Sequence, residues 1–205
     1  MRRVAVIVLL SIAVAAAADK DKGHFEPGPA SSYPGHQTLD KITIAAVPFL
    51  TDTETSMAFG KLNPNKYGIL PVLVVLENNT GKVLRLDLQA EFVTADGKHL
   101  SAMPPDDVQH LGAPARAPRI GGSNPFPVPL PTRVKKGPLN VWEIDGRSFA
   151  AKLVPVGERA YGFFYFYHDH EPGSRLYLTG IKDASTGQDY FYFEVPLEPQ
   201  ATPVQ

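Results

Sequence analysis

The chain of 205 residues contains no cysteine. That absence excludes disulfides, thiolate metal sites, a cysteine nucleophile and lipid attachment to a cysteine behind a leader. An excess of either charge is missing as well. Twenty Lys and Arg stand against 21 Asp and Glu, for a net of −1, which argues against nucleic acid or a bulk anionic surface as the main partner. Beyond the first residue only Met57 and Met103 remain, in none of the M-x-x-M or H-x-M spacings that suit copper. No G-x-S-x-G, H-E-x-x-H, glycine-rich phosphate loop or dinucleotide fingerprint occurs. No catalytic signature is therefore present, and no long amphipathic helix pattern or internal repeat is visible.

One long apolar run does occur, at the start. "MRRVAVIVLLSIAVAAAADK" has a basic pair, Arg2 and Arg3, an apolar stretch from Val4 to Val14, and Ala16-Ala17-Ala18 before Asp19. These are the three parts of a secretory signal with an A-x-A cleavage site. The apolar stretch falls short of the roughly 20 residues of a membrane span. Residues 1–18 are thus expected to be a Sec signal peptide, its removal leaving no transmembrane segment in a periplasmic or extracellular protein. Residues 19–38, polar with Pro and Gly, read as a flexible tether, and 198–205 as a disordered tail.

Between these lies strand chemistry. "KITIAAVPFL" (41–50) and "ILPVLVVLE" (69–77) are apolar or β-branched runs, the second continuous enough for a strand buried on both faces. "NNTG" is turn chemistry, and "KVLRLDLQAEFV" (82–93) alternates with a period of two before the Asp-Gly turn of "ADGK". Three more strands are expected at 160–168, 175–182 and 189–195. "TDTETSMAFGKL" (51–62) and "EIDGRSFAAKL" (143–153) have room for short helices. Short strands with little helix predict an all-β domain over 39–197, an immunoglobulin-like antiparallel β-sandwich.

One stretch departs from this pattern. Residues 104–138 hold nine of the 20 prolines, a density incompatible with central strands. No acid falls between Val108 and Trp142, whereas Arg116, Arg119, Arg133, Lys135 and Lys136 are basic. This is a long, basic, proline-rich insertion, and "NPFPVPLP" within it suits a polyproline II helix.

"AFGKLNPNKYGILPVLVVLENNTGKVLRL" and the ending "STGQDYFYFEVPL" resemble a group of uncharacterised exported bacterial proteins with immunoglobulin-like β-sandwiches. The likeness spans residues 40–197. It implies fold and export, and no activity, cofactor or site residue follows from it.

Three candidate sites emerge. His168 and His170, spaced two apart at the end of an aromatic strand, point to the same side and could begin a metal site, though zinc or copper takes three or four protein ligands. Hydrolysis of cell-wall glycan would need two carboxylates across a cleft, with Asp106, Asp107, Glu143 and Glu171 available. The favoured candidate is tyrosine. Strict alternation along the last three strands collects Tyr161, Tyr165, Tyr167, Tyr177, Tyr190 and Tyr192 on one sheet face, opposite a Phe and Leu face that forms the core. Such a platform either lies under the proline-rich insertion or is open to a ligand. An open platform rimmed by Arg116, Arg119 and Arg133 would take an envelope protein, a proline-rich peptide or a glycan. The sequence therefore points to a non-catalytic binding or structural module of the bacterial cell envelope, without cofactors. A periplasmic metal-binding protein is the alternative, and a glycan hydrolase a more distant one.

Overall fold

The computed structural model describes residues 25–111, 137–139 and 141–199. Two antiparallel sheets pack face to face. The first is ordered β1 (His36–Leu39), β2 (Ile42–Pro48), β3 (Leu70–Asn78) and β7 (Arg159–Phe166). The second runs β10 (Phe193–Pro196), β8 (Arg175–Asp183), β4 (Leu84–Val93) and β5 (His99–Ser101), with the two-residue strands β6 (Leu153–Val154) on β4 and β9 (Asp189–Tyr190) on β8. The expected all-β sandwich is what the chain forms.

The core between the sheets follows from strand parity. Ile42, Ile44 and Ala46 of β2 and Leu70, Val72, Val74 and Leu76 of β3 meet Leu84, Leu86, Phe92, Leu176, Leu178, Phe193 and Val195 of the second sheet. The opposite parity of the first sheet is buried too. Ala45, Val47, Leu73, Val75, Phe163 and Tyr165 form a second core beneath three short helices. These are α1 (Asp52–Phe59), α2 (Pro105–His110) and α3 (Trp142–Gly146), contributing Ala58 and Phe59, Val108, and Ile144. The continuous apolar run of β3 thus has the physical cause expected of it: both faces are covered.

Local chemistry sets the helix ends. Thr51 caps α1 in a reciprocal box, accepting from the Glu54 N–H at 3.2 Å while Glu54 accepts from the Thr51 N–H at 2.8 Å. In α2 a proline occupies the first helical position, where a missing N–H costs nothing.

The tether expected over 19–38 is corrected from residue 25 onward. Phe25 packs on Phe49 and Phe163 at 5.9 and 5.5 Å. Buried Ala30 donates its N–H to Glu77 at 2.9 Å, and residues 36–39 form β1. Of the insertion, 104–111 turn out to hold α2, while 112–136 lie outside the described residues, as do residues 1–24, with the expected signal peptide, and 200–205.

Two irregularities decide which side chains face outward. Register between β4 and β8 shifts between Leu86 and Gln89, so Asp87 and Leu88 stand against the single residue Gly180. Gly180 has φ +86°, and strand β8 changes phase there: Leu176 and Leu178 point inward, then Ile181 and Asp183. The C-terminal strand changes phase in step, since Tyr190 pairs with Ile181 but Phe193 with Leu178.

Candidate functional site

The six-tyrosine platform does not exist as alternation predicted it. Strand β7 pairs with β3 in the first sheet, whereas β8, β9 and β10 belong to the second, so β7 and its tyrosines are not neighbours of the other two tyrosine-bearing strands. Tyr161 and Tyr165 face the second core. Tyr165 is 1% exposed and its hydroxyl donates to the Ile144 carbonyl of α3 at 2.7 Å. Burial pushes the Tyr165 phenol well above its ordinary pKa, so at any physiological pH it is a neutral donor. The cover on this face, among the described residues, is helical. The start of the proline-rich insertion contributes to it through α2, whereas 112–136, with Arg116, Arg119 and Arg133, lie outside the described residues.

Tyr190 is displaced by the phase change. Its partner Ile181 points inward, and Tyr190 packs against the inter-sheet core. Phe191, assigned to the interior by alternation, is instead 80% exposed. Tyr167 is 67% exposed just past the end of β7, its ring against Gly68.

What remains is a smaller cluster on the outer face of the second sheet. Tyr177 of β8 and Tyr192, just before β10, lie with ring centroids 5.2 Å apart and planes 29° from parallel. Tyr192 is 52% exposed. His99 of β5 meets Tyr177 edge-on at 5.6 Å. Around the rings sit polar side chains that already have partners. His99 Nδ1 is 2.7 Å from Glu91, which stands directly across from Tyr177 on β4. Glu194 stands across from Tyr177 on the other side and lies 3.4 Å from Arg175. The outer face is held at its β10 edge by Gln37, whose side-chain oxygen accepts from the Glu194 N–H at 2.8 Å. Sequence reasoning did not bring His99, Glu91 or Phe191 to this face. The Tyr-Phe-Tyr-Phe run gave no sign that a two-residue step at 191–192 turns both side chains outward.

The histidine pair occupies the far end of β7. Both His168 and His170 line a recess of about 270 Å³ with Asn65, Gly68 and Asp169. The His168 ring lies 5.1 Å from Phe92, and its Nε2 is 3.7 Å from Glu171. His170 Nε2 lies 2.9 Å from the Leu197 carbonyl, a distance at which it acts as the donor. Among the described residues no group of three or more His, Asp or Glu is placed to hold a metal ion.

A cleft of about 370 Å³ opens where the sheet edges part, between Leu88–Glu91 of β4, the 101–105 segment, Ser148–Phe149 and Phe163–Tyr165. It is lined by the stacked pair Phe149 and Phe164, 5.6 Å apart, with Met103, Pro104 and Pro105. Its one acidic lining residue is Glu91. The carboxylates considered for glycan hydrolysis, Asp106, Asp107, Glu143 and Glu171, do not line it.

The "DASTGQ" turn also uses oxygen chemistry locally. Asp183 accepts from the Ser185 N–H and hydroxyl at 2.8 and 2.6 Å and from Lys82 at 2.7 Å. The Lys82 ammonium, then the Ser185 hydroxyl, hold the Asp183 carboxyl well below the usual carboxylate range.

No protein-family model matches the chain, and comparison with curated proteins returned no significant relative.

Proposed function

We propose that this protein is an exported, non-catalytic binding module of the bacterial cell envelope, with the outer face of its second sheet as the recognition surface. The observation that carries the proposal is the stacked pair of Tyr192, 52% exposed, and half-buried Tyr177 on the outer face of the second sheet, with Phe191, 80% exposed, next to it in the chain. Large rings left open on a rigid frame cost solvation without helping to fold the chain, and such patches mark interaction surfaces. Tyrosine suits the task because its body is apolar and its tip stays wet. The signal-like residues 1–18 support export to the periplasm or beyond, and no helix among the described residues is long and apolar enough to cross a membrane.

Connectivity supports an immunoglobulin-like reading of the sandwich. The chain crosses from the first sheet to the second between β3 and β4 and again between β7 and β8; β3 pairs with β7, and β4 with β8. This is the arrangement of the B, C, E and F strands, with β10 and β5 in the G and C′ positions. It accords with the resemblance to exported bacterial sandwich proteins, and fold alone assigns no activity.

Two measurements test the proposal. Mass spectrometry of protein secreted into the periplasm is expected to find the mature chain starting at Asp19. Purified mature protein is expected to be retained on envelope fragments, and the double variant Phe191→Ala/Tyr192→Ala to be released. Equal retention of the two proteins would remove this face from the function.

A further inference from the structure

We propose that the Tyr177–Tyr192 face takes an uncharged, polyhydroxylated glycan, its sugar rings stacking on the aromatic cluster and its hydroxyls bridging to the ion-paired side chains beside it. The inference rests on the reading of this face as the recognition surface and adds the chemistry of the ligand.

Charge is the first argument. Each carboxylate bordering the rings already has a partner: Glu91 contacts His99 Nδ1 at 2.7 Å and Glu194 pairs with Arg175 at 3.4 Å. Farther out, Arg85 pairs with Asp87 at 3.5 Å and Lys182 with Asp189 at 3.6 Å. A polyanion would have to displace Glu194 from Arg175 and approach the Glu91 carboxylate, and a polycation would have to draw both carboxylates away from their partners. A neutral ligand leaves every pair intact.

Hydrogen-bonding capacity is the second. A carboxylate offers about four lone-pair sites and a guanidinium five N–H donors, so a single ion pair leaves most of both unused. Glu91 and Glu194 flank Tyr177 on both neighbouring strands, placing acceptors on either side of one ring. Sugar hydroxyls donate and accept, which suits this mixture. A polyproline peptide presents carbonyls without N–H groups and needs donors, so a rim led by two carboxylates suits it poorly.

Size is the third. A stable protein interface covers about 800 Å² per partner around an apolar centre. Here the apolar centre is the stacked pair Tyr177 and Tyr192, and the polar residues Thr179, Gln89 and Glu91 follow immediately on the same face. One or two sugar rings cover such an area; a protein partner would desolvate the rim.

The test uses mature protein and four probes in calorimetric titration: cellohexaose and chitohexaose as uncharged glycans, dextran sulfate as a polyanion, and a synthetic NPFPVPLP peptide. Binding of at least one uncharged glycan is expected, with affinity unchanged from about 50 to about 500 mM salt because no net charge is neutralised. Phe191→Ala/Tyr192→Ala is expected to weaken it by about tenfold or more at unaltered melting temperature. The two failures separate cleanly. If both glycans are silent at millimolar concentration while envelope fragments still distinguish wild type from the double variant, the glycan inference is overturned and the surface survives. Binding of only the peptide or dextran sulfate overturns it in the same way, and loss of that envelope distinction takes away both.

Discussion

The hydroxyl of Tyr165 reaches the backbone carbonyl of Ile144 at 2.7 Å, tying the outer face of the first sheet to helix α3. The same ring lies 6.3 Å from Phe59 of α1, so one side chain joins two covering helices. Tyr165→Ala is expected to cost about 3–5 kcal/mol, the range for emptying a buried aromatic site. Tyr165→Phe leaves the carbonyl without its donor and is expected to cost about 1–3 kcal/mol. Urea unfolding of the two variants checks both figures. In the same assay Tyr192→Ala is expected to stay within about 0.5 kcal/mol of wild type, as an exposed substitution should.

Gly180 carries the phase change of β8 and has the Asp87 carbonyl pressed against it. A Cβ there would lie 2.1 Å from that oxygen, at φ +86°. Gly180→Ala therefore combines backbone strain with a collision, and a loss above about 2 kcal/mol is expected. Gly187 is the control. Its φ is also positive at +74°, but open space surrounds the added methyl, so only the backbone penalty of about 1 kcal/mol is expected. Thermal unfolding of the pair separates collision from conformation.

Asn78 is fully buried and spends its whole amide on the loops around it. Its Nδ2 donates to the carbonyls of Lys82 and Val154 at 2.7 and 2.9 Å, while its Oδ1 accepts from the Thr80 hydroxyl at 2.7 Å. Asn78→Leu strands these partners, and a loss of about 2–4 kcal/mol is expected from chemical denaturation. Protease nicking within 79–83 or 155–158 is expected to accompany it, since both loops hang on this residue.

Acid sensitivity should concentrate on Asp183. Its carboxyl titrates lower in the folded chain than in the unfolded one because Lys82 and Ser185 bond the ionised form. At acid pH the unfolded state then binds more protons, so stability rises with pH. The contribution is present above about pH 4, the unfolded carboxyl's range, and drains away as pH falls below it. Lys82 works in the opposite direction at alkaline pH. Its pKa is raised by Asp183, so its share holds below about pH 10 and is lost as pH rises through the folded value. Urea midpoints between pH 2 and 6 are expected to fall more steeply for wild type than for Asp183→Asn.

Much of the secondary structure was legible. The runs at 41–50, 69–77 and 82–93 are strands, and Thr51 with Glu54 marks the start of α1, as a Thr-x-x-Glu box should. The short strands β1, β5 and β6 were missed. Two of them, β5 and β6, are two or three residues long, too few to establish a period. Of the candidate tyrosines, Tyr177 and Tyr192 stack on the outer face of the second sheet, whereas Tyr165 is buried and Tyr161 and Tyr190 are half-buried against the two cores.

Composition and hydrophobic period by themselves determined the fold class, because a half-buried strand must alternate and a doubly buried one must not. They also determined a chemistry without thiols or an excess of either charge. Only the tertiary structure decided which strands are neighbours, since period carries no information about pairing partner: β7 joined β3, across the sandwich from β8. It alone decided which tyrosines face solvent, because a left-handed glycine and a two-residue step reverse the parity that sequence reading assumes to run unbroken.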